Sequence, residues 1–225
     1  MKICMYSVNF GNYRDETDQG LDRLYFDPNI DYYFFTDNKN LRSKKWKIIY
    51  TEPFENEKAN MDKNRHTAKH FKFLTPEILK DYDILIWYDS KLLKKRRAFI
   101  YKKIVDKFER LDKLELMNVK HKIRTSPVKE LITTIKNAEI KINDENPDEG
   151  KEFLKILKQT EFKIPLLDTE CIIRKNNEHI NNIFKQVYDI LIEKGLKRDQ
   201  SVYNYILEKN KIYENFKYLV YTECG

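Results

Sequence analysis

Short apolar runs separated by polar turns dominate the first part of the chain. They predict four strands, at Lys2–Val8, Ile30–Thr36, Trp46–Tyr50 and Tyr82–Tyr88. The last of these is almost continuously apolar, which is typical of a parallel strand covered on both faces. Between the third and fourth strands, Lys63–Leu74 has apolar residues at helical spacing and predicts a helix that ends before Pro76.

The second part of the chain has mostly helical periodicity. Helices are predicted from Pro127 to about Asn137, from Pro147 to about Gln159, over Ile180–Leu191, and after Arg198-Asp199-Gln200. Two more strands are predicted at Leu167–Arg174 and Phe216–Tyr221. Strands alternating with helices in this way indicate the α/β class.

Polar residues follow three of the predicted strands directly. They are Asn9-Phe10-Gly11, Asp37-Asn38 and Asp89-Ser90-Lys91. In open α/β sheets, ligands bind beyond the carboxyl ends of the strands. The pattern therefore predicts a ligand crevice at this edge of the sheet.

Composition narrows the class of ligand. The chain has 225 residues, 41% of them hydrophobic, which is enough for a core and excludes a disordered chain. Its formal charge of +7 suits an anionic ligand, and it equally suits a lysine-rich protein in which most lysines merely solvate the surface. With 5 glycines and no P-loop or GxGxxG motif, any phosphate must be held by side chains or a metal.

No apolar run is long enough for a membrane span, so no transmembrane segment is expected.

The cysteines predict a compartment. Cys4, Cys171 and Cys224 are far apart and odd in number, which is a poor framework for disulfides. Free thiols in a reducing compartment are the better interpretation, so we expect a cytoplasmic protein.

Several charged residues are candidates for the chemistry, and each has a simpler structural interpretation. Arg65, Lys69 and Lys72 share one helix face and either clamp a diphosphate or are solvated. Asp89 either holds a divalent cation or caps the next element. The basic stretch Lys91–Lys103 indicates a solvated helix face or a contact with nucleic acid, phosphate or membrane headgroups.

Three further candidates lie in the second part of the chain. Asp199 begins a helix and is a natural N-cap. Glu170 precedes an apolar strand, and it could be a general base or a ligand for substrate hydroxyls. His121 and Arg124 could bind metal or phosphate, although a lone His is more often structural.

The order of these short motifs resembles a known family. They run Asn9-Phe10-Gly11-Asn12-Tyr13, Tyr32-Tyr33-Phe34-Phe35-Thr36-Asp37, Trp46, Arg65…Lys69…Lys72, Ile86-Trp87-Tyr88-Asp89, His121…Arg124, Thr169-Glu170…Ile173-Arg174-Lys175-Asn176-Asn177 and Arg198-Asp199-Gln200-Ser201. The chain resembles, from about Met1 to Leu207, the glycosyltransferase-like family long catalogued as a domain of unknown function in plants, bacteria and large DNA viruses.

The resemblance implies a fold and a reaction. The fold is GT-A-like: a Rossmann-like mixed sheet flanked by helices, in a single domain over residues 1–225. Its nucleotide-sugar half would span about 1–92 and its acceptor half about 93–225. Such enzymes move a sugar from a nucleotide-diphosphate donor, UDP sugars among them, to the hydroxyl of a glycan or other acceptor. No nucleic-acid partner is expected.

The resemblance also implies roles for individual residues. Phe10, Gly11 and Tyr13 are expected to lie beside the nucleotide, and Thr36 and Asp37 to face its base and ribose. The cationic residues expected to bind the diphosphate and the sugar are Arg65, Lys69, Lys91 and Arg198. Glu170 and Asp199 match acidic positions near the transferred sugar and acceptor. Between these two, we expect Glu170 to activate the acceptor and Asp199 to be an anchor, because a helix-capping carboxylate stays ionised.

One departure from the wider GT-A pattern concerns the metal. Many such enzymes have Asp-x-Asp where this chain has Asp89-Ser90-Lys91. We expect Mn²⁺ or Mg²⁺ held by Asp89 with His121. The alternative is that Lys91 itself offsets the charge of the leaving group, which would remove the need for metal.

The leading hypothesis is therefore a metal-assisted, nucleotide-sugar-dependent glycosyltransferase. The polar loop Asn143–Gly150 is a candidate lid that would exclude water. Two alternatives remain: a GT-A-like module that binds a sugar nucleotide or glycan without catalysis, and a nucleic-acid-binding protein that uses Lys91–Lys103.

Overall fold

One mixed sheet carries the architecture. The computed structural model describes residues 1–13, 21–95, 99–111, 113–140 and 147–219. The strands are β1 (Ile3–Asn9), β2 (Ile30–Thr36), β3 (Lys47–Tyr50), β4 (Ile84–Tyr88), β5 (Leu116–Lys120), β6 (Leu167–Lys175) and β7 (Phe216–Tyr218). They form a seven-stranded sheet in the order β3-β2-β1-β4-β6-β5-β7. β6 runs antiparallel to both of its neighbours, β4 and β5, whereas the other pairs are parallel.

Five of the six described helices begin close to where the sequence places them. They are α1 (Lys63–Phe73), α2 (Tyr101–Arg110), α3 (Pro127–Ile140), α4 (Pro147–Lys158), α5 (Glu178–Glu193) and α6 (Gln200–Lys209). The Asp62 side chain caps α1 by accepting a hydrogen bond from the backbone N–H of Arg65 at 3.0 Å. Ser126 caps α3 through the N–H of Lys129 at 3.2 Å.

Two elements were not predicted from the sequence. β5 is short and contains Asn118, yet that side chain is buried and donates to the Tyr203 hydroxyl at 3.0 Å. α2 follows the N-cap residue Ile100, whose side chain makes no cap hydrogen bond. The expected helix face over Lys91–Lys103 is instead a 3-10 turn over Ser90–Lys95 followed by α2, and residues 96–98 lie outside the described ranges.

Strand alternation divides the apolar residues between two cores. In β1, Cys4, Tyr6 and Val8 belong to the core covered by α1, α5 and α6. Ile3 and Met5 belong to the opposite core, covered by α2 and the segments before β2 and after β4. Both faces of the sheet are therefore covered by apolar cores, and the charged residues lie at the ends of its strands.

The two described cysteines agree with the expected free thiols. Cys4 and Cys171 are buried and free, and burial raises the pKa of the Cys4 thiol. Cys224 lies outside the described residues. The cytoplasmic location stays a prediction. No helix among the described residues is both long enough and apolar enough to cross a membrane.

Strands from both expected halves share the sheet, since β6 inserts between β4 and β5. The boundary near residue 92 stays a prediction. The candidate lid Asn143–Gly150 is only partly described: 141–146 lie outside the described ranges, and Pro147–Gly150 is the first turn of α4 rather than loop.

Candidate functional site

The polar strand ends meet at one edge of the sheet. β1, β2 and β4 are parallel, so Gly11, Asp37 and Asp89 follow their strands at the same edge. Because β6 is antiparallel to β4, its first residues, including Glu170, also lie there. His121 follows β5, whose end pairs with the start of β6. The structure thus brings together side chains that are up to 133 positions apart in the chain, between Asp37 and Glu170.

The loop after β1 is held in one conformation by its neighbours. Gly11 has φ +65°, a backbone conformation that favours glycine, and a Cβ there would lie 2.1 Å from Nδ2 of Asn64, which would have to move. Its backbone N–H donates to the Asp37 carboxylate at 3.0 and 3.2 Å. Asp37 therefore joins the ends of β1 and β2 at the mouth of the crevice.

The five residues expected around the nucleotide are not equally accessible. Phe10 is buried against Phe71, with ring centroids 5.8 Å apart, and Thr36 is fully buried. Gly11 and Tyr13 are exposed and Asp37 is partly exposed. Direct contact with a nucleotide is open to these three, whereas Phe10 and Thr36 support the strand ends from beneath.

The cations expected to form a stripe on one face of α1 do not all face a ligand. Lys69 and Lys72 instead belong to a buried ion-pair cluster. Lys72 and Lys69 direct their ammonium nitrogens to Oδ2 of Asp199, at 2.5 and 2.8 Å. Thr169 donates its hydroxyl to Oδ1 of the same carboxylate at 3.2 Å. Arg65 lies one turn earlier, with Nε 3.9 Å from Oδ2 of Asp62. Two of the three cations therefore point inward, towards a residue before α6.

Asp199 occupies the N-cap position but its side chain makes no cap hydrogen bond. The prediction that capping of the helix keeps Asp199 ionised therefore gives the wrong cause. Although burial opposes the charge, Lys69 and Lys72 hold the pKa of Asp199 far below its usual range.

The cluster carries an excess positive charge that is poorly solvated. Burial lowers the pKa of Lys69 to about 8, with Asp199 opposing this shift and the charge of Lys72 reinforcing it. The Lys69 side chain is 17% exposed, against 6% for Lys72. Lys69 is thus the member of the pair through which an anion could reach the cluster.

A bulge in β6 presents two more carboxylates at the edge. Pairing with β5 jumps from Asn118–Ile172 to Val119–Asp168, which leaves 169–171 without partners on β5. Within it, Asp168 accepts the backbone N–H of Glu170 at 2.9 Å. Burial, reinforced by the charge of Glu170, raises the pKa of Asp168, while that hydrogen bond, Lys72 and Lys91 oppose the shift.

Asp168 was not a predicted site residue. The signal available in the sequence was its spacing of two from Glu170, which alone does not distinguish an edge carboxylate from a solvated one.

Glu170 is not a free carboxylate. Its Oε1 lies 2.5 Å from the ammonium nitrogen of Lys91, and its backbone carbonyl accepts the N–H of Asp89 at 2.8 Å. Burial opposes the charge of Lys91, but the hydrogen bond that Lys91 donates to Glu170 and the charges of Asp89, Glu170 and Asp168 raise the pKa of Lys91 overall. Lys91 therefore sits as a cation among three carboxylates.

His121 does not meet the requirements of the expected metal ligand. Its Nδ1 accepts the backbone N–H groups of Ile123 at 3.2 Å and of Arg124 at 2.9 Å. A nitrogen that accepts bears no proton, so the hydrogen bonds assign the proton of the neutral ring to Nε2. Neither nitrogen then keeps a lone pair for a metal, and His121 is left as a donor at this edge.

The remaining donor set does not form a divalent-metal centre. Within the described ranges, no group of three or more His, Cys, Asp or Glu side chains is placed to hold a metal ion. Magnesium can be held by one or two carboxylates and substrate phosphates. Here, however, Glu170 already pairs with Lys91, whose backbone N–H also binds Oδ1 of Asp89 at 3.0 Å. The residues fit a lysine-centred charge cluster, not a metal site.

Two arginines of the prediction lie around this edge. Arg124 pairs with the buried carboxylate of Glu130 at the start of α3, so its charge fixes the loop after β5. Arg198 is exposed next to Asp199.

Comparisons with known proteins identify the fold. No family model and no curated protein matches the chain, so the resemblance to a particular family stays a prediction. Among solved structures, the mannosyltransferase Ktr4p of S. cerevisiae aligns with a TM-score of 0.51 and 11% identity, covering 97% of this chain and 68% of that one. Core-mannan synthase A (CmsA/Ktr4) of Aspergillus fumigatus, in an Mn/GDP form, aligns with 0.51 and 10%, covering 97% and 73%.

These similarities confirm the expected fold class. The mixed seven-stranded sheet flanked by helices is the GT-A-type glycosyltransferase fold. At 10–11% identity, the likeness concerns the fold alone.

Proposed function

We propose that the protein transfers a sugar from a nucleotide-diphosphate donor to the hydroxyl of a glycan or other acceptor. One observation carries this proposal: a cluster of opposite charges lies at the ligand-binding edge of a GT-A-like sheet. Its members are Lys69, Lys72, Lys91, Asp89, Asp168, Glu170 and Asp199. Such a cluster offers cations for a diphosphate and carboxylates for an acceptor hydroxyl.

The donor would lie across the ends of β1, β2 and β4. Gly11, Tyr13 and Asp37 would border the nucleotide, supported by the buried Phe10 and Thr36. Lys69 would face the diphosphate, with Arg65 and Arg198 further out. The partial exposure of Lys69, and the two ammonium groups that share the single carboxylate of Asp199, support this placement.

The acceptor would approach the bulge of β6. As the bond between the anomeric carbon and the diphosphate oxygen breaks, the diphosphate leaves with the electron pair. The acceptor oxygen bonds to the same carbon, and its proton passes to a carboxylate. We assign this base to Asp168 rather than to Glu170, because Glu170 is already paired with Lys91 while burial raises the proton affinity of Asp168.

A binding module without catalysis is the second candidate. It is favoured by the ion pairs of Glu170 and Asp199, which occupy both acidic residues expected to be catalytic. Binding of nucleic acid by the basic stretch Lys91–Lys103 is less favoured, because one of its cations, Lys91, is paired with Glu170.

Nucleotide binding and donor hydrolysis test the proposal together. We expect UDP or GDP to raise the melting temperature where uridine and guanosine do not, since a ligand of the folded state at about 100 times its Kd adds about 2.7 kcal/mol. An enzyme should then hydrolyse UDP-glucose or GDP-mannose slowly in the absence of acceptor. Stabilisation without hydrolysis indicates the binding module. No stabilisation by any nucleoside diphosphate contradicts both the transferase and a module that binds a sugar nucleotide.

The affinity for a diphosphate should fall as the pH rises through about 8, the pKa of Lys69. The charged form of Lys69 attracts the anion, and deprotonation removes it. From that pKa, we expect binding about tenfold weaker at pH 9 than at pH 7. Titration calorimetry with UDP and GDP measures this. Lys69→Arg should bind equally at both values, because arginine stays charged. Lys63→Arg, an exposed position on the same helix, should keep the wild-type pH dependence.

A further inference from the structure

The end of β4 holds Lys91 in a defined place. Leu92 is fully buried, its backbone N–H donates to the carbonyl of Asp89 at 2.8 Å, and its carbonyl accepts the Tyr88 hydroxyl at 3.2 Å. These contacts fix the turn that carries Lys91. The lysine is therefore positioned by packing, not by chance at a solvated surface.

The carboxylates around Lys91 are fixed from the other side. The N–H of Asp89 donates to the carbonyl of Glu170, which ties the end of β4 to the bulge of β6. The Glu170 carboxylate then lies 2.5 Å from the ammonium nitrogen. An ammonium has three donors, and the Lys91 side chain is 39% exposed, so donors remain for a ligand at the edge.

We propose that Lys91 is the resident cation of this site, supplying to the diphosphate the positive charge that Asp-x-Asp enzymes obtain from a metal. This inference rests on the proposed function. A lysine at the third position of the motif, where the second carboxylate would be, removes one negative charge and adds one positive charge. Both changes oppose a divalent cation at Asp89. Binding of the diphosphate then requires no metal ion.

Mn²⁺ binding to the full chain tests the site without any nucleotide. Electron paramagnetic resonance should detect no stoichiometric Mn²⁺ on the wild-type protein at about 0.1 mM Mn²⁺, a concentration at which weak metal sites of proteins begin to fill. Lys91→Asp restores the second carboxylate and should bind Mn²⁺ about tenfold or more tightly than wild type. Lys102→Asp makes the same charge change at an exposed position on α2 and should bind none.

Nucleotide binding supplies the second measurement. In EDTA, the Kd of wild type for UDP or GDP should match that in Mn²⁺ within about threefold, whereas Lys91→Met should weaken binding in EDTA by about tenfold or more. Lys91→Asp should bind the nucleotide only when Mn²⁺ is present. Circular dichroism and urea unfolding establish that each variant is folded, and Lys91→Met carries the comparison if Lys91→Asp is not.

The outcomes separate the two proposals. Wild type that binds UDP or GDP only with Mn²⁺, or binds Mn²⁺ alone, overturns the role of Lys91 and leaves the proposed function intact. Lys91→Met that binds in EDTA as well as wild type also overturns it. If neither nucleotide binds under any condition, the proposed function fails, and the Mn²⁺ comparison still shows whether Lys91 excludes the metal.

Discussion

Replacing Asp199 with asparagine is expected to destabilise the folded protein by about 3–5 kcal/mol. The carboxylate accepts from Lys72 at 2.5 Å and from Lys69 at 2.8 Å, and all three side chains are largely buried. An amide of the same size fills the space and can still accept from Thr169, but it cannot balance two ammonium groups. Uncompensated buried charge is among the most costly defects in a protein.

The pH dependence of this loss identifies its cause. In the variant, burial without a counter-charge lowers the pKa of Lys69 further below the value of about 10.4 in the unfolded chain. A lysine whose folded-state pKa is depressed costs stability below that pKa, and the cost is relieved as the pH rises through it. The difference from wild type should therefore shrink between pH 7 and pH 9.5, measured by urea unfolding.

Asp189→Asn is the matched control. Asp189 also accepts from a lysine, Lys185, at 2.6 Å, but this pair lies exposed on one face of α5. Exposed pairs of this kind contribute about 0.3–0.5 kcal/mol. If Asp199→Asn unfolds at the same urea concentration as Asp189→Asn, the cluster does not contribute the stability assigned to it here.

The sequence predicts the location of the site better than its contacts. Gly11, Asp37 and Asp89 could be placed together because the carboxyl ends of parallel strands share an edge, whatever the helices do. That inference depends only on local periodicity and turn residues. The structure places the three residues accordingly.

The ion pairs required information that local patterns lack. Lys72 and Asp199 are 127 positions apart, and the helical spacing of Lys69 and Lys72 is the same for a solvated face as for a buried cluster. The antiparallel direction and bulge of β6 bring Asp168 and Glu170 to the edge, and strand periodicity specifies neither. The role of His121 depended on which ring nitrogen accepts, which only the folded loop determines.

Replacing Asp168 with asparagine is expected to slow donor hydrolysis, in which water takes the place of the acceptor, by about 10²- to 10⁴-fold. The amide oxygen can still accept the N–H of Glu170, so the bulge should keep its conformation. Binding of UDP or GDP should change little, because the diphosphate faces the lysines and not this carboxylate. The substitution should lower kcat and leave the Kd for the nucleotide within about twofold of the wild-type value.

The pH profile and a second variant distinguish Asp168 from Glu170. A base acts when deprotonated, so activity should fall as the pH drops through the pKa of Asp168, which burial raises above its usual value. The residual activity of Asp168→Asn should not fall in this way as the pH drops. Glu170→Gln removes the carboxylate paired with Lys91 but leaves Asp168 in place, so this variant should keep the loss of activity at low pH. An inactive Glu170→Gln with normal nucleotide affinity, beside an active Asp168→Asn, would return the role of base to Glu170.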